Sequence, residues 1–230
     1  MRPAVTRAFL DLLTQQAPTA DALYILGDFF EVWLGDDDTS ALIEQVIAAL
    51  RHCASDGTRI YIMHGNRDFL IGEVFCQKTG CTLLADPTVI NLYGRQVLLA
   101  HGDALCTDDT DYMAFRQQCR SPQWQADLLS QPLAVRRQLA EQLRMQSKQA
   151  NSNKAEDIMD VNSQAVQCLL NDYNTEVLIH GHTHRPAIHQ LTVGDTLCQR
   201  IVLGDWDQHA WVLNYPADHN FELRQYPIVK

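Results

Sequence analysis

Short apolar runs recur along the chain: Ala22–Leu26 (ALYIL), Arg59–Met63 (RIYIM), Gln96–Ala100 (QVLLA), Glu176–Ile179 (EVLI) and Arg200–Leu203 (RIVL). Each is too short for a helix and nearly continuous in its apolar character, which predicts strands covered on both faces. Between them, Thr6–Gln15 and Ala41–Cys53 repeat apolar residues at intervals of three and four, the spacing of one helix face. Asp38-Thr39-Ser40 supplies N-cap residues for the second helix. The C-terminal stretch WVLNYPADHNFELRQYPIV reads as a closing pair of strands. Strands alternating with helices predict an α/β layered fold. No fixed-period repeat and no low-complexity segment interrupts it.

Residues 120–154 break this rhythm. Arg120, Arg136, Arg137, Arg144, Lys148 and Lys154 stand there against Asp127 and Glu141. On a helical projection, Arg137, Arg144, Ser147, Lys148, Asn151 and Lys154 share one face, and Val135, Leu139 and Leu143 take the opposite one. The segment reads as an inserted helical cap with a basic face, inside a single domain spanning residues 1–230. Arg120, Arg136 and Arg137 beside Trp124, Leu128, Leu129 and Leu133 also suit an anionic lipid surface.

The composition narrows the classes. The 230 residues are 46% apolar and 20% charged, a globular balance. Eighteen Lys and Arg against 28 Asp and Glu leave a net charge of −10, which disfavours a phosphate backbone as partner. No apolar run approaches the roughly 18 residues of a membrane span, and the start MRPAVTRAFLDLL has no signal-peptide pattern. Seven cysteines without a Cys-x-x-Cys predict a reduced, cytosolic chain.

The chemistry lies where the strands end. The five runs lead into Gly27-Asp28, His64-Gly65-Asn66-Arg67-Asp68, His101-Gly102-Asp103, His180-Gly181-His182-Thr183-His184 and Gly204-Asp205. Ligands of open α/β sheets bind beyond the carboxyl ends of the strands. Carboxylate, amide oxygen and imidazole together suit a divalent ion of intermediate softness such as manganese, iron or zinc. A pair of such ions bridged by one carboxylate can hold a phosphoryl group and generate hydroxide. Asp28 is the natural bridge, Asn66 a neutral oxygen ligand, and His101, His182 and His184 nitrogen ligands. There is no Gly-x-Ser-x-Gly elbow and no Gly-rich phosphate loop with Lys.

This order of motifs resembles the calcineurin-like metallophosphoesterases. Within them, ALYILGDFFEVWLGDDD, MHGNRDFL, HGDALCTDD, SKQANSNKAEDIMDVN, HGHTHRP and LGDW are similar to the UDP-2,3-diacylglucosamine hydrolase family of lipid A biosynthesis, over nearly the whole chain. The resemblance implies a four-layer αββα fold with an inserted helical cap at about 120–160, two Mn2+ ions, and a peripheral place at the cytoplasmic face of the inner membrane. It implies hydrolysis of the substrate's pyrophosphate to UMP and 2,3-diacylglucosamine 1-phosphate. By position it makes Asp28 the bridging ligand, Asn66, His101 and His182 ligands of one ion, and His184 a ligand of the other. It assigns substrate contacts to Asn66, Arg67, Asp109, Ser147, Asn151, Lys154 and His182.

Two departures matter. The wider superfamily has His after Gly-Asn, where this chain has Arg67. An Arg cannot donate its proton, so the leaving group must need none. A phosphate monoester leaving from a pyrophosphate meets that condition, while the Arg67 fork holds phosphate oxygens. Second, the family's opening strand and Asp-x-His do not precede Arg2-Pro3. The first ion site is left with Asp28 and His184, and the expected explanation is a start upstream of Met1. Two other functions compete: a phosphodiesterase for a soluble nucleotide, which has no use for an amphipathic cap, and a catalytically silent binding module, against which Asp28, Asn66, His101, His182 and His184 all argue.

Overall fold

Successive side chains of a strand point to opposite faces, so a strand apolar at every position serves two cores. In the computed structural model two such strands run parallel at the centre. One places Val97 and Leu99 in one cluster and Leu98 and Ala100 in another, and its neighbour divides Val177 and Ile179 from Leu178 in the same way. The structure describes residues 2–152, 158, 160–216 and 220–229, without the side chains at 148 and 150–152.

The element order is α1 (Pro3–Gln15), β1 (Ala22–Ile25), α2 (Ala41–Ser55), β2 (Arg59–Met63), α3 (Glu73–Thr79), β3 (Thr82–Leu84), β4 (Thr88–Leu92), β5 (Arg95–Ala100), α4 (Thr110–Cys119), α5 (Pro122–Leu129), α6 (Leu133–Ser152), α7 (Ser163–Asp172), β6 (Val177–His180), β7 (Ala187–Val193), β8 (Thr196–Val202), β9 (His209–Asn214) and β10 (Glu222–Pro227). One sheet has the order β1-β2-β3, all parallel. The other has the order β4-β5-β6-β8-β7, parallel at its centre and antiparallel at both edges. β9 and β10 form an antiparallel pair.

Three clusters set the layers. Leu12, Leu13, Ile43, Val46 and Leu50 of α1 and α2 pack on Ile60 and Ile62 of β2. Leu26 and Met63 meet Val97, Leu99, Val177, Ile179 and Ile201 between the sheets. Val166 and Leu170 of α7 cover Leu98 and Leu178 on the far face. The resulting order, helix, sheet, sheet, helix, is the four-layer αββα arrangement. The edge of β1 opposite β2 pairs with no strand among the described residues. It faces a cleft of about 2850 Å3, lined also by α1, β9 and the side of α6. All seven cysteines are free and five are buried.

Local chemistry differs from the sequence reading in two places. Ser40 stands at the N-cap of α2 without a side-chain bond, and Asp38 instead accepts from the Ser40 amide at 3.1 Å. On α6, Leu139 and Leu143 line the same cleft as Arg137, Arg144 and Ser147. The predicted separation into opposite basic and apolar faces does not hold, because positions three and four apart share a side of a helix.

Asn162 caps α7 more fully than any expected cap. Its Oδ1 accepts from the amides of Gln164 (2.9 Å) and Ala165 (3.0 Å), and its Nδ2 donates to Asp108 (2.9 Å). Asn162→Ala is expected to lower unfolding free energy by about 1–2 kcal/mol, read as a lower urea midpoint with unchanged slope.

Candidate metal centre

Two loops cross at the ends of β1 and β2, backbone against backbone. A Cβ on Gly27 would lie 2.5 Å from the Gly65 Cα, and one on Gly65 would lie 2.0 Å from the Asp28 amide nitrogen. Only glycine permits that approach. The crossing is fastened by Asp68, which is fully buried. Its carboxylate accepts from the amides of Gly65 (2.7 Å), Phe29 (2.6 Å), Asp28 (3.2 Å) and Phe30 (3.3 Å). Burial, and then the charge of Asp28, push its pKa up to about 6. Asp28, His182 and His184 all have positive φ (51°, 63° and 55°), a conformation that non-glycine residues hold only when the surroundings impose it.

Asp28, His101 and His182 offer ligand atoms that all lie within 4.8 Å of one another. Asn66 Oδ1 joins them, 3.2 Å from His101 Nε2 and 2.9 Å from His182 Nδ1. His101 Nδ1 lies 2.8 Å from the Leu26 carbonyl. That oxygen can only accept, which assigns the ring proton to Nδ1 and leaves the Nε2 lone pair facing Asn66 Oδ1. In that tautomer both atoms present lone pairs that one cation could share. Burial alone would lower the His101 pKa, but the carboxylates of Asp28 and Asp103 outweigh it and the pKa is raised. Burial, and then His101, push the His182 pKa down to about 4, so this ring is neutral and able to ligate at pH 7. The donor set of carboxylate, amide oxygen and two imidazole nitrogens fits a divalent ion.

His184 stands outside this group, with Asp205 and Asp28 as the carboxylates nearest in electrostatic effect. Arg67 is at the centre: its amide donates to Asp28 Oδ1 at 2.9 Å, and its Nε lies 3.7 Å from Asp28 Oδ2. Asp109 is buried and caps α4, accepting from the Tyr112 amide at 3.1 Å. Ser147 is exposed and lines the cleft. Lys154 and the Asn151 side chain lie outside the described residues.

The model of the calcineurin-like phosphoesterases matches residues 3–186. A protein of Cellvibrio japonicus named UDP-2,3-diacylglucosamine hydrolase is 56% identical over 94% of this chain and 90% of its own length. Relatives of the same name from Marinobacter nauticus (52%, over 99% of this chain and 93% of its own) and Pseudomonas fluorescens Pf0-1 (50%, over 92% and 86%) agree with it. The chain belongs to the UDP-2,3-diacylglucosamine hydrolase family of calcineurin-like phosphoesterases. The soluble-nucleotide and silent-module readings are not favoured by these relatives.

In this member of the family, residues that the sequence did not single out support the cluster. Asp103 is fully buried and accepts from Tyr112 Oη (2.7 Å) and Arg116 Nε (2.9 Å). Burial would raise its pKa, but His101 and Arg116 more than offset this and hold the carboxyl well below the usual range. Arg120 donates to the Gly65 carbonyl at 2.9 Å, next to Asn66, and the Tyr112 ring lies 5.8 Å from that of His182. The His-Gly-Asp run was a signal for Asp103; the Tyr and Arg partners come from α4, with no motif of their own. Gly65→Ala is expected to lower melting temperature and divalent-ion affinity together, because the Asp28 loop must move to admit the methyl group. Calorimetry of the variant with and without Mn2+ checks this.

Proposed function

We propose that this chain hydrolyses the pyrophosphate bond of UDP-2,3-diacylglucosamine, releasing UMP and 2,3-diacylglucosamine 1-phosphate, with divalent metal ions, manganese in particular. The observation that carries the reading is the convergence of Asp28, Asn66, His101 and His182 with Arg67 directly above Asp28, in a chain whose relatives bear that substrate in their names. Asp28, Asn66, His101 and His182 would hold one ion, and Asp28 with His184 would contribute to a second. When bound, such ions supply Lewis acidity toward a phosphoryl oxygen and lower the pKa of water.

The residues do the rest. Arg67 presents a planar fork to the phosphate and offsets charge that grows there as the bond breaks. It has no proton to give at neutral pH, and UMP or a sugar phosphate leaves as a stable anion. His182 Nδ1 and Asn66 Oδ1 face each other at 2.9 Å, so both would be available to one ion. Ser147 on the cleft wall, with Asp109, Asn151 and Lys154, is assigned to the sugar and its phosphate. Phe69, Trp124, Leu128, Leu139 and Leu143 give the cleft an apolar side suited to acyl chains.

The acyl chains of the proposed substrate support a peripheral place for the reaction at a membrane surface, which this reading takes to be the cytoplasmic face of the inner membrane. No helix among the described residues is long and apolar enough to cross a membrane. Of the basic residues first assigned to lipid contact, Arg136 is buried against Leu34 and Asp37, and Arg120 is half-buried and engaged by the Gly65 carbonyl and Asp103, while Arg137 stays exposed. Contact with lipid would fall to exposed Arg137 together with exposed Leu129, Val135 and Met145 of the cap. Product analysis by liquid chromatography and mass spectrometry tests the reaction. UMP and the lipid 1-phosphate in equal amounts support it; UDP as the nucleotide product, or no metal-dependent product at all, overturns it.

A further inference from the structure

The carboxylate of Glu31, three residues beyond Asp28, joins parts of the molecule that are far apart in sequence. Its Oε2 accepts from Arg67 Nη1 at 2.8 Å and from Arg144 Nη2 of α6 at 2.8 Å. Its Oε1 accepts from Arg2 Nη1 at 3.3 Å, just before α1. One oxygen atom thus holds the guanidinium above Asp28 and the guanidinium of the cap helix. Two cations brought this close repel each other unless an anion lies between them.

The position along α6 gives the contact its meaning. Arg136 enters the body of the protein two turns earlier, almost completely buried, and donates to the Leu34 carbonyl, the Gln131 carbonyl and both oxygens of Asp37. That end of the helix is fixed. Arg144 lies about 12 Å further along the axis, more than half exposed, and bonds to Glu31 at the mouth of the site. An exposed ion pair contributes little to global stability. Its effect is on where the outer half of α6 sits and which way Arg67 points.

We propose that Glu31 is a positioning residue: it orients Arg67 over Asp28 and, through Arg144, holds the outer half of α6 against the metal centre, so that cap position and phosphate capture are coupled. The part concerning catalysis rests on the reading of Arg67 as a phosphate-holding residue; the part concerning the cap does not. Without Glu31 the Arg67 side chain recovers its rotamer freedom, and substrate must restrict it again on binding.

The experiment compares wild type, Glu31→Gln, Arg144→Gln and the double variant. Hydrogen exchange is followed for the amides of residues 138–147, and turnover of UDP-2,3-diacylglucosamine with Mn2+ is followed by UMP release. Either single change is expected to speed exchange in that segment about 3- to 10-fold, with the double variant no faster than the singles. Glu31→Gln is expected to raise KM about 3- to 10-fold with kcat changed less than about twofold. Exchange within twofold of wild type, or effects that simply add, would overturn the clasp. An unchanged or lowered KM would overturn the positioning of Arg67, since it would make Glu31 a competitor of the substrate anion. Should wild type release no UMP, the proposed reaction fails, and the exchange measurement alone still decides the clasp.

Discussion

Asp28→Ala is expected to reduce UMP release by more than about 100-fold while the protein stays folded. The bound comes from a comparison: groups that merely orient a metal ligand are worth about 10- to 100-fold, and Asp28 is proposed as a ligand itself, its carboxylate facing both His101 and Arg67. Its side chain is not part of an apolar cluster, so little packing is lost. The changes to the fold are the bond from the Arg67 amide and an alanine at φ 51°, each worth roughly 1 kcal/mol. Asp28→Asn keeps shape and one acceptor oxygen and is expected to be nearly as inactive, because the charge is what a bridging ligand contributes. Turnover, metal content by mass spectrometry and melting temperature are measured on the same preparations. Turnover near the wild-type level with either variant would remove Asp28 from the chemistry.

Asp68→Ala is expected to damage the fold more than any other single change near the site. Four backbone amides donate to this one carboxylate, in a place with no exposure to water. Removing it orphans them all, at about 1–3 kcal/mol for each group left unpaired. Relaxation of the loop recovers part of that, and a net loss of about 3–5 kcal/mol is expected. For a chain of this size that is roughly a 10 °C fall in melting temperature. Asp68→Asn retains one acceptor and should fall between wild type and alanine. A shift below about 2 °C for the alanine variant would show that the amides find other partners, and that Asp68 does not fasten the crossing.

What the sequence showed and what it hid divide along physical lines. The inner strands were legible because their residues are almost continuously apolar: β1, β2, β5, β6 and the end of β8 fall on the runs read from the pattern. β4 and β7 are edge strands whose side chains alternate between half-buried and exposed, and their mixed composition hides them among loops. The short β3, TLL, is too brief to stand out. In the site, Asp28, Asn66, His101 and His182 announce themselves because each ends a strand beside a glycine. Asp68 and Glu31 do not, since their meaning lies in contacts some 30 to 110 positions away in sequence. The basic stretch of the cap misled for a related reason. Charge can be counted in a sequence, but Arg120 and Arg136 are engaged by carbonyls and carboxylates of the body.

Every functional step proposed for this chain depends on the four strand-end residues forming a metal centre. The most direct test is a crystal of this chain soaked in Mn2+, with anomalous scattering measured at the manganese edge. A strong peak is expected, enclosed by Asp28 Oδ, Asn66 Oδ1, His101 Nε2 and His182 Nδ1, lost on soaking with a chelator and absent from Asp28→Ala. Well-ordered density for these four side chains, with no anomalous peak among them at millimolar Mn2+, would contradict it.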